Sequence, residues 1–232
     1  MPIIFITLSE TFANLARDHG YDARVQPIQD YQPRPTARRT YYVSPANSLC
    51  FMDGGIDLAL SRQVFPGIEP IVKQRVRKLG RQTLLGRPYL PIGSSLITDG
   101  IDDPGQPVSG PTSHTPRKSL VVAPTMLLPQ AVPHSQNAYY ATMAVLYNIL
   151  INRGENLDEV DVLLTSFCCG YGRMSEQESL NQILDGIRDY STYRPLCLSE
   201  IVILAEPNLP EQPKYYQNTE WMDILPNEIQ KC

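Results

Sequence analysis

The 232-residue sequence has no C-x-x-C pair, no histidine cluster, no internal repeat and no apolar run long enough to span a bilayer. Each absence removes a class of protein. The five cysteines (Cys50, Cys168, Cys169, Cys197 and Cys232) are odd in number, so free thiols in a reducing compartment are expected rather than a disulfide framework. Cys168 and Cys169 are adjacent and do not easily share one zinc, and no other Cys/His spacing suggests a metal site. His19, His114 and His134 are scattered and read as surface groups, although His134 precedes a predicted helix close to the ligand loops described below. The apolar stretch at residues 3–7 is too short for a signal or membrane segment, and charged residues follow it at Glu10, Arg17 and Asp18. With 20 basic and 24 acidic residues, the chain also lacks the positive excess that draws proteins to nucleic acid or acidic membranes. The Lys73–Arg87 cluster reads as a solvated helix face. A soluble intracellular protein is the expectation, with the cytoplasm as its compartment and the nucleus as the alternative.

What is present is an ordinary globular composition, 42% hydrophobic and 19% charged, arranged as alternating strand and helix patterns. Residues 3–7 predict a buried strand. A helix follows from an N-cap at Ser9 through Phe12, Leu15 and Ala16, and ends at Gly20. Residues 22–29 and 41–43 predict further strands, separated by the Pro-rich loop 32–36. Ile56, Ala59, Leu60 and Val64 fall at helical spacing until Pro66-Gly67. A helix over 68–80 turns Val72, Val76 and Leu79 inward.

Residues 92–98 and 119–123 read as strands flanking a long excursion at 99–117. Ser135 caps a helix reaching about Arg153, and 160–164 is a strand. Ser175 with Glu178 forms a capping-box pattern ahead of a helix that buries Leu180, Ile183, Leu184 and Ile187. Residues 201–205 suggest a last strand. The pattern then dissolves into a Pro/polar tail at 207–232, with Trp221 and Ile224 as possible anchors. One α/β domain at 1–206 with a parallel or mixed sheet is implied.

Two loops carry chemistry. In the first, the strand at 41–43 leads through Ser44-Pro45-Ala46-Asn47 to Gly54-Gly55-Ile56-Asp57 at a helix start. Pro45 restricts Ser44 to extended backbone, and the glycines allow a ligand close to the main chain. Free amides at the helix start suit a phosphate, with Asn47 and Asp57 as flanking polar groups. In the second, the strand at 160–164 leads through Phe167-Cys168-Cys169 to Gly170-Tyr171-Gly172-Arg173 and a capped helix. A lone G-x-G is more often a plain turn. Two Gly-bearing loops at the carboxyl edge of one sheet make a two-sided cradle for a diphosphate, and such a cradle needs no lysine.

Val43-Ser-Pro-Ala-Asn-Ser and Met52-Asp-Gly-Gly-Ile-Asp57 resemble the first ligand loop of the macro domain family, commonly N-A-A-N-S followed by G-G-G-V-D. Gly170-Tyr-Gly-Arg-Met-Ser resembles its second loop, often G-L-G-T-G-x-G. Gly93-Ser-Ser-Leu-Ile-Thr and Val121-Val-Ala-Pro-Thr-Met resemble its intervening strands. The resemblance covers roughly residues 1–190 in the correct order. It implies a three-layer α/β/α sandwich with a central mixed β-sheet and an ADP-ribose cleft along the sheet top.

By position, the resemblance makes Asn47 the group that orients the distal ribose and Asp57 the group that positions water at the anomeric carbon. Ala46, Asn47, Gly54, Gly55 and Ile56 would line the ligand from one side, and Cys169, Gly170, Tyr171, Gly172 and Arg173 from the other. The implied activity is hydrolysis of mono-ADP-ribose from a modified acceptor, with no cofactor and a monomeric chain. The alternatives are a non-catalytic ADP-ribose reader and an ADP-ribose-1″-phosphate phosphatase. Where the family commonly has an adenine-recognising aspartate after its first strand, this chain has Thr7-Leu8-Ser9-Glu10. Glu10 or a backbone amide is the substitute the sequence offers.

Overall fold

Alternate residues of each central strand are apolar and face opposite ways, and this pattern generates the architecture. The computed structural model describes residues 3–79, 83–84, 87–99 and 116–191. Along the chain run β1 (Ile3–Thr7), α1 (Glu10–Asp18), β2 (Asp22–Val25), β3 (Arg39–Ser44), α2 (Gly55–Ala59) and α3 (Ile68–Lys78). The two-residue strands β4 (Thr83–Leu84) and β5 (Arg87–Pro88) follow, then β6 (Leu96–Asp99), β7 (Arg117–Val122), α4 (Asn137–Tyr147), β8 (Val160–Leu164) and α5 (Glu176–Ser191). The main sheet has the order β2-β1-β8-β3-β7-β6, while β4 and β5 pair separately. Neighbours from β2 to β7 are parallel, and only β6 runs antiparallel, against β7.

On one face, Ile3, Phe5, Tyr41, Val43, Val162 and Leu164 pack against α1, α4 and α5. On the other, Ile4, Ile6, Tyr42, Leu120, Val122 and Leu163 pack against Leu60, Ile68, Val72 and Val76. The result is the three-layer α/β/α sandwich with a mixed sheet that the sequence implied.

Local chemistry sets the ends of the elements. The Ser9 side chain accepts from the Phe12 N–H and caps α1. The capping pair at Ser175 is half formed: Glu178 N–H donates to Ser175 Oγ (3.1 Å), but the Glu178 carboxylate accepts from Gln182 Nε2 instead (2.8 Å). Both α2 and α4 end in π-helical turns, Leu60–Val64 and Asn148–Asn152.

Several predicted boundaries move. β2 stops at Val25, ahead of Pro27, and a 3₁₀ turn at Ile28–Asp30 takes the rest of the predicted strand. α3 ends at Lys78, and Leu79, at its C-cap, is 53% exposed rather than inward. β6 begins only at Leu96, because the turn at 92–93 takes Gly93 to φ +83°. The α4 cap falls on Gln136, whereas Ser135 Oγ donates back to the Val132 carbonyl (2.9 Å). Leu184 is only partly buried. Most of the predicted excursion, residues 100–115, lies outside the described residues, as do the strand at 201–205 and the tail with Trp221 and Ile224.

Candidate functional site

The carboxyl ends of β1, β8, β3 and β7 open onto one cavity of about 800 Å³, lined after those strands by Thr7, Thr165, Asn47 and Thr125 respectively. This is the edge at which open α/β sheets bind ligands.

The first loop is pinned to the sheet. Beyond β3, the pairing with β7 continues through Ala123 N to Ser44 O (2.9 Å), Thr125 N to Ala46 O (2.9 Å) and Ser48 N to Met126 O (2.8 Å). Ala46 is fully buried beneath the cavity, and Asn47 is 6% exposed at its wall. The Asn47 side chain organises its own turn. Its Oδ1 accepts from Leu49 N (3.1 Å) and Phe51 N (3.5 Å), and its Nδ2 donates to the Phe51 carbonyl (3.1 Å). One amide proton remains for the cavity. The turn places Cys50 at φ +58°.

Gly54 precedes α2 in extended conformation with no side-chain cap, so the N–H groups of the first turn are left uncapped. Gly54, Gly55, Ile56 and Asp57 all line the cavity. Asp57 is half-buried, and its Oδ1 accepts from Ser44 Oγ at 2.7 Å. Burial pushes its carboxyl from 3.8 up to about 7; the Ser44 hydrogen bond holds it down, and the Asp53 charge adds to the rise. Near neutrality this carboxyl therefore exists in both forms.

The second loop is held from below. Phe167 and Cys168 belong to the core, with Cys168 at φ +63° and Arg173 at φ +54°. Met174 N donates to Cys168 O (3.1 Å) and Ser179 Oγ to Phe167 O (2.6 Å). Gly172 is required by close approach, since a Cβ there would lie 2.2 Å from the Cys168 carbonyl oxygen. Cys169, Gly170 and Tyr171 line the cavity. Tyr171 is 74% exposed, and its Cε2 lies 3.9 Å from where a Cβ on Gly54 would stand, so the ring spans the gap between the loops.

Gly172 and Arg173 support this loop from outside the lining. The Gly172 carbonyl accepts from Val132 N (2.8 Å), and Arg173 N donates to Gly170 O (3.1 Å). Among the described residues, the positive-φ positions other than glycine are Cys50, Cys168 and Arg173, all within these two loops. Backbone strain of this kind concentrates where a site is held in a fixed shape.

The electrostatics are distinctive. Asp53 and Asp57 line the cavity, and no Lys, Arg or His does so among the described residues. Phosphate oxygens would therefore be held by backbone N–H groups. Burial pushes the Cys50 and Cys168 thiols up to about 12 and raises Cys169, so these sulfurs are neutral near pH 7. Cys50, Cys168 and Cys169 are free. No group of three or more His, Cys, Asp or Glu stands together for a metal among the described residues, and no described helix is long and apolar enough to cross a membrane.

Sequence reading missed three contributors. Ser44 carries the hydrogen bond to Asp57. Pro45 immediately follows it, which marked the backbone but not the hydroxyl. Gln26 and Gln29 line the far end of the cavity, and no motif pointed to them. Glu10 is not in the lining; on α1 it pairs with Arg17 at 3.3 Å.

No family model and no curated protein matches the sequence. Solved structures do match. A mutant of the Oceanobacillus iheyensis macrodomain is 15% identical, with 71% of this chain and 70% of that chain covered and a TM-score of 0.48. The macrodomain of Mycobacterium tuberculosis DarG is 14% identical, with coverage of 68% and 85% and a TM-score of 0.45. Thermosipho africanus DarTG in complex with ADP-ribose is 10% identical, with coverage of 80% of this chain and 50% of that one and a TM-score of 0.45.

Proposed function

We propose that the chain is a macro domain whose cavity binds ADP-ribose, and that it hydrolyses mono-ADP-ribose from a modified acceptor. The observation that carries the catalytic part is the Ser44–Asp57 pair: a cavity-lining carboxyl, fixed by a 2.7 Å hydrogen bond, that burial pushes up to about 7. In its ionised form Asp57 accepts a proton from water as the water oxygen bonds to the anomeric carbon. The bond to the acceptor breaks, the acceptor takes up a proton from solvent, and Asp57 returns the proton it took from water to solvent, which restores the carboxylate. The carboxylate also stabilises positive charge developing on the ribose. Asn47 offers its remaining amide proton to a ribose hydroxyl. The diphosphate sits between the Gly54–Gly55 and Gly170 backbones, under Tyr171.

The non-catalytic reader is the second reading. It is favoured by the Asn47 amide, most of whose hydrogen-bonding capacity is used within its own turn. A phosphatase acting on the 1″-phosphate is disfavoured, because Asp53 and Asp57 would both oppose a further phosphate at that end.

Incubation with a mono-ADP-ribosylated protein carrying label on the ADP-ribose separates these readings. Release of label by the wild type, lost in Asp57→Ala while ADP-ribose binding persists, is expected. A wild type that binds but releases nothing would establish the reader.

A further inference from the structure

The cavity is chemically lopsided. Its carboxylates, Asp53 and Asp57, follow β3, whereas the end beside β1 and β2 carries only neutral polar groups. Gln26 N–H donates to the Thr7 carbonyl (3.0 Å), which fixes the Gln26 backbone at the mouth of β1. Its half-buried side-chain amide has no hydrogen-bond partner among the described residues. The two hydroxyls at this end are already oriented as acceptors, Thr7 Oγ1 from Ser9 N (3.0 Å) and Ser9 Oγ from Phe12 N (3.2 Å). Leu8, Pro27 and Ile28 supply apolar walls suited to a flat ring.

We propose that Gln26 reads the base of the bound nucleotide, and that it does so without choosing between a 6-amino and a 6-oxo purine. This rests on the reading of the cavity as an ADP-ribose site, which puts the base at the β1–β2 end. Adenine presents an amino donor beside a ring-nitrogen acceptor; hypoxanthine presents the reverse, a carbonyl acceptor beside a ring N–H donor. A carboxylate accepts only, so it pairs with the amino group and opposes the carbonyl. A primary amide carries one acceptor and two donors on one plane, and its terminal torsion is soft. Turning it by half a revolution exchanges the pattern, and among the described residues no hydrogen bond holds the Gln26 amide in one orientation.

Calorimetry on the full chain with ADP-ribose and with its inosine counterpart tests this. Affinities within about threefold of one another are expected for the wild type. Gln26→Glu installs an acceptor-only group and should turn this parity into a preference for the adenine ligand of about tenfold, the cost of one opposed polar contact. If the wild type binds ADP-ribose but its inosine counterpart at least tenfold more weakly, the role of Gln26 is overturned while the ADP-ribose site stands. Parity that persists unchanged in folded Gln26→Glu overturns it too. If neither ligand binds, the ADP-ribose reading itself falls.

Discussion

Ser44 is fully buried at the end of β3, outside the cavity lining, yet two measurable properties depend on its hydroxyl. Its hydrogen bond opposes the burial that raises Asp57. Ser44→Ala should therefore move the titration of Asp57 further upward and, under the proposed hydrolysis, shift upward the limb of the pH–rate profile expected to rise through about 7 in the wild type. The substitution should cost about 1 kcal/mol of stability. A pH profile that did not move would remove Ser44 from the account.

Asp57 itself has a stability consequence whose sign is fixed. Because its folded value of about 7 exceeds the ordinary 3.8, the folded chain retains a proton that the unfolded chain has released between those values. The stability linked to that proton is complete below about 4 and lost as pH rises through about 7. Asp57→Asn should thus match the wild type at pH 4 and exceed its Tm by a few degrees at pH 8, as read by thermal unfolding. Gly172→Ala tests the second loop. The 2.2 Å collision with the Cys168 carbonyl predicts a loss of about 3 kcal/mol, whereas Gly170→Ala meets no atom within 4 Å and should be tolerated.

The strands and helices were the most legible part of the sequence, because their apolar periods are set by burial on two faces. Tyr41-Tyr42-Val43 reads as a strand since Tyr41 and Val43 enter one core and Tyr42 the other. The ends were less legible. Leu79 continues the period of Val72 and Val76, but the helix stops at Lys78 and the period loses its meaning there. The glycines of both loops announced the cavity, since backbone approach has a sequence signature. The directions of the Asn47 amide and the Ser44 hydroxyl had no such signature, because each depends on a partner brought near by folding, and the place of Gln26 in the cavity depends on the sheet that carries it there.

One element-level contact had no sequence signal at all. Asp161 on β8 is fully buried and accepts from Tyr31 Oη (2.9 Å), Arg34 N (2.9 Å) and the Arg34 guanidinium. It ties the Pro-rich loop after the 3₁₀ turn to the sheet. Asp161→Ala would strand a partly buried cation and should lower stability by about 3 kcal/mol in denaturant unfolding.

For the whole molecule, the two apolar faces make a rigid platform, and the strand order brings four carboxyl ends to a common cavity. Function then resides in what the loops place there: uncapped amides, the aromatic rings of Phe51 and Tyr171 and two carboxylates, with no cation in the described lining. Under the proposed function such a site would recognise phosphate through hydrogen-bond geometry rather than net charge. Binding should consequently depend only weakly on salt. Calorimetric titration of the full chain with ADP-ribose at pH 7 tests whether this cavity holds ADP-ribose. One-to-one binding with a Kd below about 100 µM is expected. No detectable heat with ligand at about 1 mM, equivalent to less than about 4 kcal/mol of affinity, would contradict it.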